Sequence, residues 1–464
     1  MSSDNLYLLS PLTALSPLDG RYAEKTNALR EIFSEFGLIH RRIRIEIAWL
    51  EQLSSQSNIQ EVASLTTNAT RYLHEIYENF SLEDAQYIKE IELTTNHDVK
   101  AVEYYLKERL NKNKELSRVS EFVHFACTSE DINNLAYALM LNDARNIVLI
   151  PAVREIKDAL RGFAMRYADQ PMLARTHGQP ASPTTVGKEF GNFAARLRTV
   201  IESIEDLTIP GKFNGAVGNF NAHYIAYPEI DWPTISKDFV EALGLNYQSM
   251  TTQIEPHDGI AQFCHELIRL NNILLDLDRD LWGYIALGYF DQQLVDDEIG
   301  SSTMPHKINP IDFENSEGNI GLANALLGHL AEKLPISRWQ RDLSDSTAMR
   351  SLGVGLGYSL IAWRATSQGL SKLQLNSSLL NHELEESWII LAEAIQTVMR
   401  RYGITDAYEQ LKVLTRGQNT VTKESMQSFI RQLPIPHDAR KRLINLTPHL
   451  YTGNAAKAAK TLDP

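Results

Sequence analysis

The sequence predicts an all-α protein organised around a bundle of long helices, and three observations carry that prediction. Between Ile260 and Leu281 the apolar residues Ile260, Phe263, Leu267, Leu270, Leu274, Leu277 and Leu281 alternate three and four apart over three heptads, the seam of a coiled-coil-like bundle. A second stripe, Leu149, Val153, Ile156, Leu160, Phe163 and Tyr167, keeps helical spacing despite Pro151 near its start. Beyond about residue 375 the helical stretches shorten and Pro434, Pro436 and Pro448 punctuate them, which predicts a small separate helical domain. A helix of about thirty residues spans roughly 45 Å, longer than one small domain is wide, so its apolar seam calls for partner helices.

A chain of 464 residues exceeds one compact core, and the division expected is 1–115, 116–374 and 375–464. Hydrophobic residues at 43% and charged residues at 22% are ordinary for a folded, water-soluble protein. The net charge of -13 excludes a non-specific nucleic-acid binder, and any anionic ligand must meet local positive charge. Two cysteines, Cys127 and Cys264, make no disulfide framework and no zinc motif. With no signal-like amino terminus and no long apolar run, a cytoplasmic protein without a membrane span is expected.

In chain order, Asp19-Gly20-Arg21-Tyr22 makes a turn before a helical pattern that runs to about Gln56. The cluster Thr94-Thr95-Asn96-His97-Asp98 precedes a helix predicted over Asp98 to Leu110; capping explains Asn96 or Asp98, and leaves the imidazole of His97 over. Thr128-Ser129-Glu130-Asp131 reads as a helix start, with Ser129 or Thr128 as N-cap and acids in the first turn. Such a start also suits a substrate carboxylate. Arg175-Thr176-His177-Gly178-Gln179-Pro180 is a Gly/Pro-bounded loop whose histidine has an ordinary pKa of about 6.5, suited to proton transfer near neutrality. The glycine-rich stretch Gly211 to Asn219 has no Lys-Ser/Thr pair after its last glycine, so it reads as a tight turn rather than a nucleoside-triphosphate loop. Gln253 precedes the seam helix as a loop amide.

The densest chemistry lies in Gly300-Ser301-Ser302-Thr303-Met304-Pro305-His306-Lys307-Ile308-Asn309-Pro310. Two prolines and a leading glycine make it a loop. Its serines can act as base or oxyanion partner, its lysine can neutralise a carboxylate and its asparagine can hold a second oxygen. Glu314 and Asn315 follow in a new helix. Further on, Ser337 to Arg350 gathers three arginines and several hydroxyls, the groups a phosphate requires.

The loop resembles the signature GSSxMPxKxNP of the fumarase/aspartase/argininosuccinate lyase superfamily. His306 between the proline and the lysine is similar to the branch that acts on succinylated purine nucleotides. At least five separated segments match in order over nearly the whole chain. The resemblance implies a homotetramer of three-domain helical subunits around a shared helical core, with active sites built from several chains. It implies β-elimination of fumarate from adenylosuccinate, giving AMP, and from SAICAR, giving AICAR, with no cofactor and no metal. By the same resemblance Ser301 is the base, His177 the acid and Glu314 its partner, with His97 and Lys307 also catalytic. Substrate contacts fall to Arg21, Tyr22, Asn96, His97, Asp98, Thr128, Ser129, Gln253, Ser302, Lys307, Asn309 and Asn315. Ala348 and Met349 are substrate contacts as well, and the phosphate falls to Arg341, Ser346, Thr347 and Arg350, with Arg21 and Tyr22 also brought to it. A lyase acting on argininosuccinate would lack the arginine-rich segment at 338–350. A non-enzymatic helical scaffold would have no reason to keep Ser301, His177 and Lys307 together.

Overall fold

The computed structural model describes residues 10–293, 304, 307–415 and 421–462. Ser301, Ser302 and His306 lie outside the described residues. The fold is all-α with short two-stranded ladders. The helices are α1 Ala23–Phe33, α2 Glu35–Ser54, α3 Thr67–Glu78, α4 Leu82–Thr95, α5 Asp98–Leu110, α6 Ser129–Asp143, α7 Ile150–Arg166, α8 Val186–Glu205, α9 Asn221–Ala226, α10 Trp232–Ala242, α11 Asp258–Ala286, α12 Ile311–Lys333, α13 Ser344–Met349 and α14 Leu352–Ser371. Short helices of the C-terminal stretch follow.

The helical pattern that runs to about Gln56 in sequence is two helices. Ser34 is extended at ψ 166° and its hydroxyl accepts from the Gly37 N–H, capping α2. A Cβ on Gly37 would stand 2.4 Å from the Ile32 carbonyl oxygen, so the tight corner requires glycine there. At the second stripe the reverse holds. A π-helical turn, Ala144–Leu149, joins α6 to α7, so Pro151 sits inside continuous helix and its missing N–H is absorbed by the widened turn. Val153, Ile156 and Leu160 are buried as expected, while Phe163 and Tyr167 are half-buried.

The seam holds along its length: Ile260, Phe263, Leu267, Leu270, Leu274, Leu277 and Leu281 are all buried on the 29-residue α11. The chain folds into two compact units, each assembled from three stretches. The first takes Met1–Ala152, Val200–Asn272 and Gly318–Arg364; the second takes Val153–Thr199, Ile273–Glu317 and Ala365–Pro464.

In the first unit α2 packs along α6. Trp49 of α2 is fully buried against Phe213, with ring centroids 4.3 Å apart, and its indole N–H donates to the Phe125 carbonyl at 3.0 Å. The buried amide of Asn271 on α11 donates to Ser359 Oγ at 3.0 Å and accepts from the Trp363 indole at 2.8 Å, so both ends of this amide are satisfied.

In the second unit Gly187 opens α8 where a Cβ would be 2.4 Å from the Ala164 carbonyl oxygen, so α7 and α8 approach at backbone contact. Phe163 and Phe190 stack across that contact with centroids 4.7 Å apart. Strands β1 Pro171–Met172 and β4 Thr184–Thr185 pair antiparallel, and between them lies the hairpin of β2 Arg175–Thr176 and β3 Gln179–Pro180. The C-terminal stretch has its own apolar cluster, which includes Trp388, Leu391, Ile395, Met399, Met426, Ile430 and Leu443.

Candidate active site

Within the first unit α4, α5, α6 and the 337–350 segment enclose a cavity of about 690 Å³. Asn96 ends α4 in the left-handed conformation, φ +50°, which asparagine tolerates better than most side chains. His97 is itself the N-cap of α5: its Nδ1 accepts the Lys100 N–H at 3.2 Å. The imidazole that capping by its neighbours left over is thus the cap. With Nδ1 accepting, Nε2 carries the proton, on a side chain that is half exposed at the pocket.

Asp98 reaches the Arg42 guanidinium at 2.7 Å and Arg350 at 3.5 Å. Burial pushes its carboxyl up, but the Arg42 charge and hydrogen bond outweigh this and hold it below the usual range. Arg42 also donates to Asn133 Oδ1 at 2.9 Å and is 2% exposed. Arg350 is anchored a second time, to Glu35 at 2.8 Å.

The start of α6 is pinned from below. Asp131, fully buried, accepts the Thr128 N–H at 2.8 Å and the Asn214 and Gly215 N–H groups at 3.0 and 3.1 Å. Lys212, also fully buried, stands 2.8 Å from the same carboxylate. Each charge has its hydrogen bonds, the condition under which a buried ion pair is tolerated. Thr128 and Ser129 thereby face the cavity. The thiol beside them, Cys127, donates to the Phe125 carbonyl at 3.4 Å, and burial raises its pKa, so it packs rather than reacts.

The glycine-rich stretch is the tight turn its sequence suggests. Gly218 has φ +83°, and a Cβ there would lie 2.4 Å from the Thr251 carbonyl oxygen. The turn carries Gln253 with it, whose amide donates to the Ala216 carbonyl at 2.8 Å. Gln253 Oε1 in turn accepts from Arg341 at 3.3 Å, and Arg341 donates to Ser346 Oγ at 2.9 Å.

The cavity therefore gathers Asn96, His97, Asp98, Thr128, Ser129, Gln253, Arg341, Ser346, Thr347 and Arg350 from segments up to about 250 positions apart. Ala348 is half-buried and Met349 is buried on α13; neither lines it. Arg21 and Tyr22 stand just before α1, outside its lining. Sequence reasoning missed Arg42, Glu92, Asn133 and Tyr137, which do line it. For Arg42 a signal existed: it falls on the apolar face of α2 with Ile39, Ile43 and Ile45, where an arginine needs a partner.

The remaining candidates belong to the second unit. His177 and Gly178 are the two-residue turn of the β2–β3 hairpin, with φ +53° and +74°, the positive pair of a type I′ turn. The imidazole is exposed at the tip. Glu314 lies in the first turn of α12 and accepts from the Trp282 indole at 3.1 Å; within one chain it makes no hydrogen bond to His177. Lys307 is exposed, with its N–H on the Met304 carbonyl, and Asn309 and Asn315 are half-buried.

Residues 20–325 match the family model described as Lyase, and residues 337–452 match that described as Adenylosuccinate lyase C-terminal. The chain belongs to the adenylosuccinate lyase family within those lyases. It is 57% identical to adenylosuccinate lyase of Haemophilus influenzae, covering 98% of this chain and 99% of that one. To adenylosuccinate lyase of Escherichia coli K12 it is 56% identical, over 96% and 98%. Fumarate lyase from Mesorhizobium sp. BNC1 shares the fold at TM-score 0.76 and 18% identity, covering 94% of this chain and 97% of that one.

Proposed function

We infer that this chain is a C–N lyase that splits adenylosuccinate into AMP and fumarate, and SAICAR into AICAR and fumarate. One observation supports it above others: ten of the residues expected at such a substrate from sequence line one cavity that holds three arginines, Arg42, Arg341 and Arg350. Those charges suit an anionic nucleotide in a protein whose net charge is -13.

In this reading the phosphate lies against Arg341, Ser346, Thr347 and Arg350, and a succinyl carboxylate takes the N-terminus of the fifteen-residue α6 at Thr128 and Ser129. Ser301 removes the proton from the carbon beta to the departing nitrogen. The electron pair passes into the adjacent carboxylate, and Lys307 and Asn309 hold the resulting aci-carboxylate. Collapse expels the nitrogen, which takes a proton from His177, leaving AMP and fumarate. Glu314 would orient and charge-stabilise that imidazole. His97 presents Nε2–H to the substrate beside Asn96 and Asp98.

The proposal includes a homotetramer in the cytoplasm, with His177, Glu314 and the signature loop completing the cavity across subunits. No described helix is long and apolar enough to cross a membrane. It also keeps the division 1–115, 116–374 and 375–464, for which the self-contained apolar cluster of the last segment speaks. The test is turnover of adenylosuccinate, followed by ultraviolet absorbance and fumarate formation, with argininosuccinate in parallel. Turnover of the first alone, lost in His177→Ala, is expected; turnover of argininosuccinate instead would overturn the assignment.

A further inference from the structure

Behind Arg341 the first unit buries three carboxylates, those of Glu130, Glu255 and Asp345, each at most 4% exposed. This is an unfavourable background for a phosphate. Arg341 Nη1 is 2.7 Å from Glu130 and its Nη2 is 3.7 Å from Asp345, so one guanidinium faces two acids before any ligand arrives. The group set among them is His257, 1% exposed, with Nε2 3.8 Å from Asp345 Oδ2 and Nδ1 3.5 Å from Glu255 Oε2. Those are ion-pair separations rather than hydrogen bonds, so the ring acts through its charge. Its backbone fixes it there: φ is +65°, and its N–H donates to Glu255 at 2.9 Å.

We propose that His257, as an imidazolium between Glu255 and Asp345, is a positioning residue for phosphate recognition, neutralising the Asp345 carboxylate so that Arg341 is left to the ligand. This rests on the reading of the cavity as a nucleotide site. With His257 charged, three negative charges meet two positive ones, and the residue is one; with it neutral the residue is two. Burial alone would lower the imidazole pKa, but Asp345 and Glu255, with Glu130 behind them, overcome that and raise it to about 9. Burial pushes the Glu130 carboxyl up, against the pull of Arg341. His257 touches no cavity atom itself and does not line the pocket, so it works through Arg341.

The experiment compares wild type with His257→Asn, which tolerates the left-handed backbone and carries no charge, on adenylosuccinate and on the corresponding nucleoside that lacks the phosphate. Expected is a rise of about tenfold in KM for the nucleotide, with kcat within about twofold and the nucleoside unaffected. In an Arg341→Met background the same substitution should then change nothing further. Equal losses on both substrates, a fall in kcat alone, or an additive effect without Arg341 would overturn the proposal. Should His257→Asn not fold, wild-type affinity for AMP and for adenosine is measured from pH 7 to 10. AMP binding should weaken as pH passes about 9 while adenosine binding stays level; parallel curves would refute the role of His257. If wild type itself turns over neither substrate, or makes no distinction between nucleotide and nucleoside, the nucleotide reading fails instead.

Discussion

Lys212 and Asp131 lie fully buried beneath the start of α6 and together hold the backbone that presents Thr128 and Ser129. Removing only the cation leaves an uncompensated buried carboxylate. Lys212→Met is therefore expected to cost about 3–5 kcal/mol in urea denaturation, and Lys212→Met with Asp131→Asn to cost less than the single change. At the same scale, Arg42→Met should free Asp98 from the charge that holds its carboxyl down. The expected result is a rise in KM of about tenfold or more with little change in melting temperature beyond that of a lost buried ion pair, read by steady-state kinetics and calorimetry. These pairings join positions 56 and 81 apart, 42 with 98 and 131 with 212. Nothing in local spacing points from one partner to the other, which is why neither pair was legible in the sequence. His97 differs: its segment is legible, but histidine is not among the preferred N-cap residues, so its sequence points to the neighbours as caps.

At the scale of elements, the periodic helices were legible and their ends were not. The seam of α11 repeats over three heptads and is buried throughout. The break at Ser34 and the π-turn at Ala144–Leu149 depend on single backbone geometries that periodicity does not encode. The glycine turn below Gln253 gives a sharp test. Gly218→Ala forces a side chain into φ +83° and within 2.4 Å of the Thr251 carbonyl oxygen. It should cost about 2 kcal/mol or more in stability and raise KM through the displaced Gln253, both measurable on the purified variant. On α11, Asp278 is buried with Thr366 donating to it at 3.0 Å. Burial outweighs the hydroxyl hydrogen bonds and raises its pKa to about 7. The folded chain thus keeps a proton that the unfolded chain releases above about pH 4, so stability falls as pH rises from about 4 through about 7. Asp278→Asn should flatten that slope in urea melts and be the more stable protein at pH 8.

For the whole molecule, the cavity supplies binding groups from the first unit, whereas the proposed acid, His177, and its proposed partner Glu314 belong to the second and make no hydrogen bond to each other within one chain. A site completed across subunits predicts that inactive His177→Ala and inactive Ser301→Ala chains, mixed and refolded together, regain part of the activity. Sedimentation should show a tetramer for each. Recovery would be absent if one chain supplied every group. The all-α class was readable because helical spacing repeats over many turns. How the chain divides into compact units was harder to read, since each unit draws on three separated stretches.

A two-residue turn with both φ values positive is built most cheaply from Asn-Gly, and this chain places an imidazole where the amide would fold better. If His177 is the proposed acid, durability and turnover are opposed at a single position. His177→Asn should melt higher than the parent, by about 0.5–1 kcal/mol of added stability, while losing its catalysis. Selection for heat resistance without selection for activity would be expected to find that substitution.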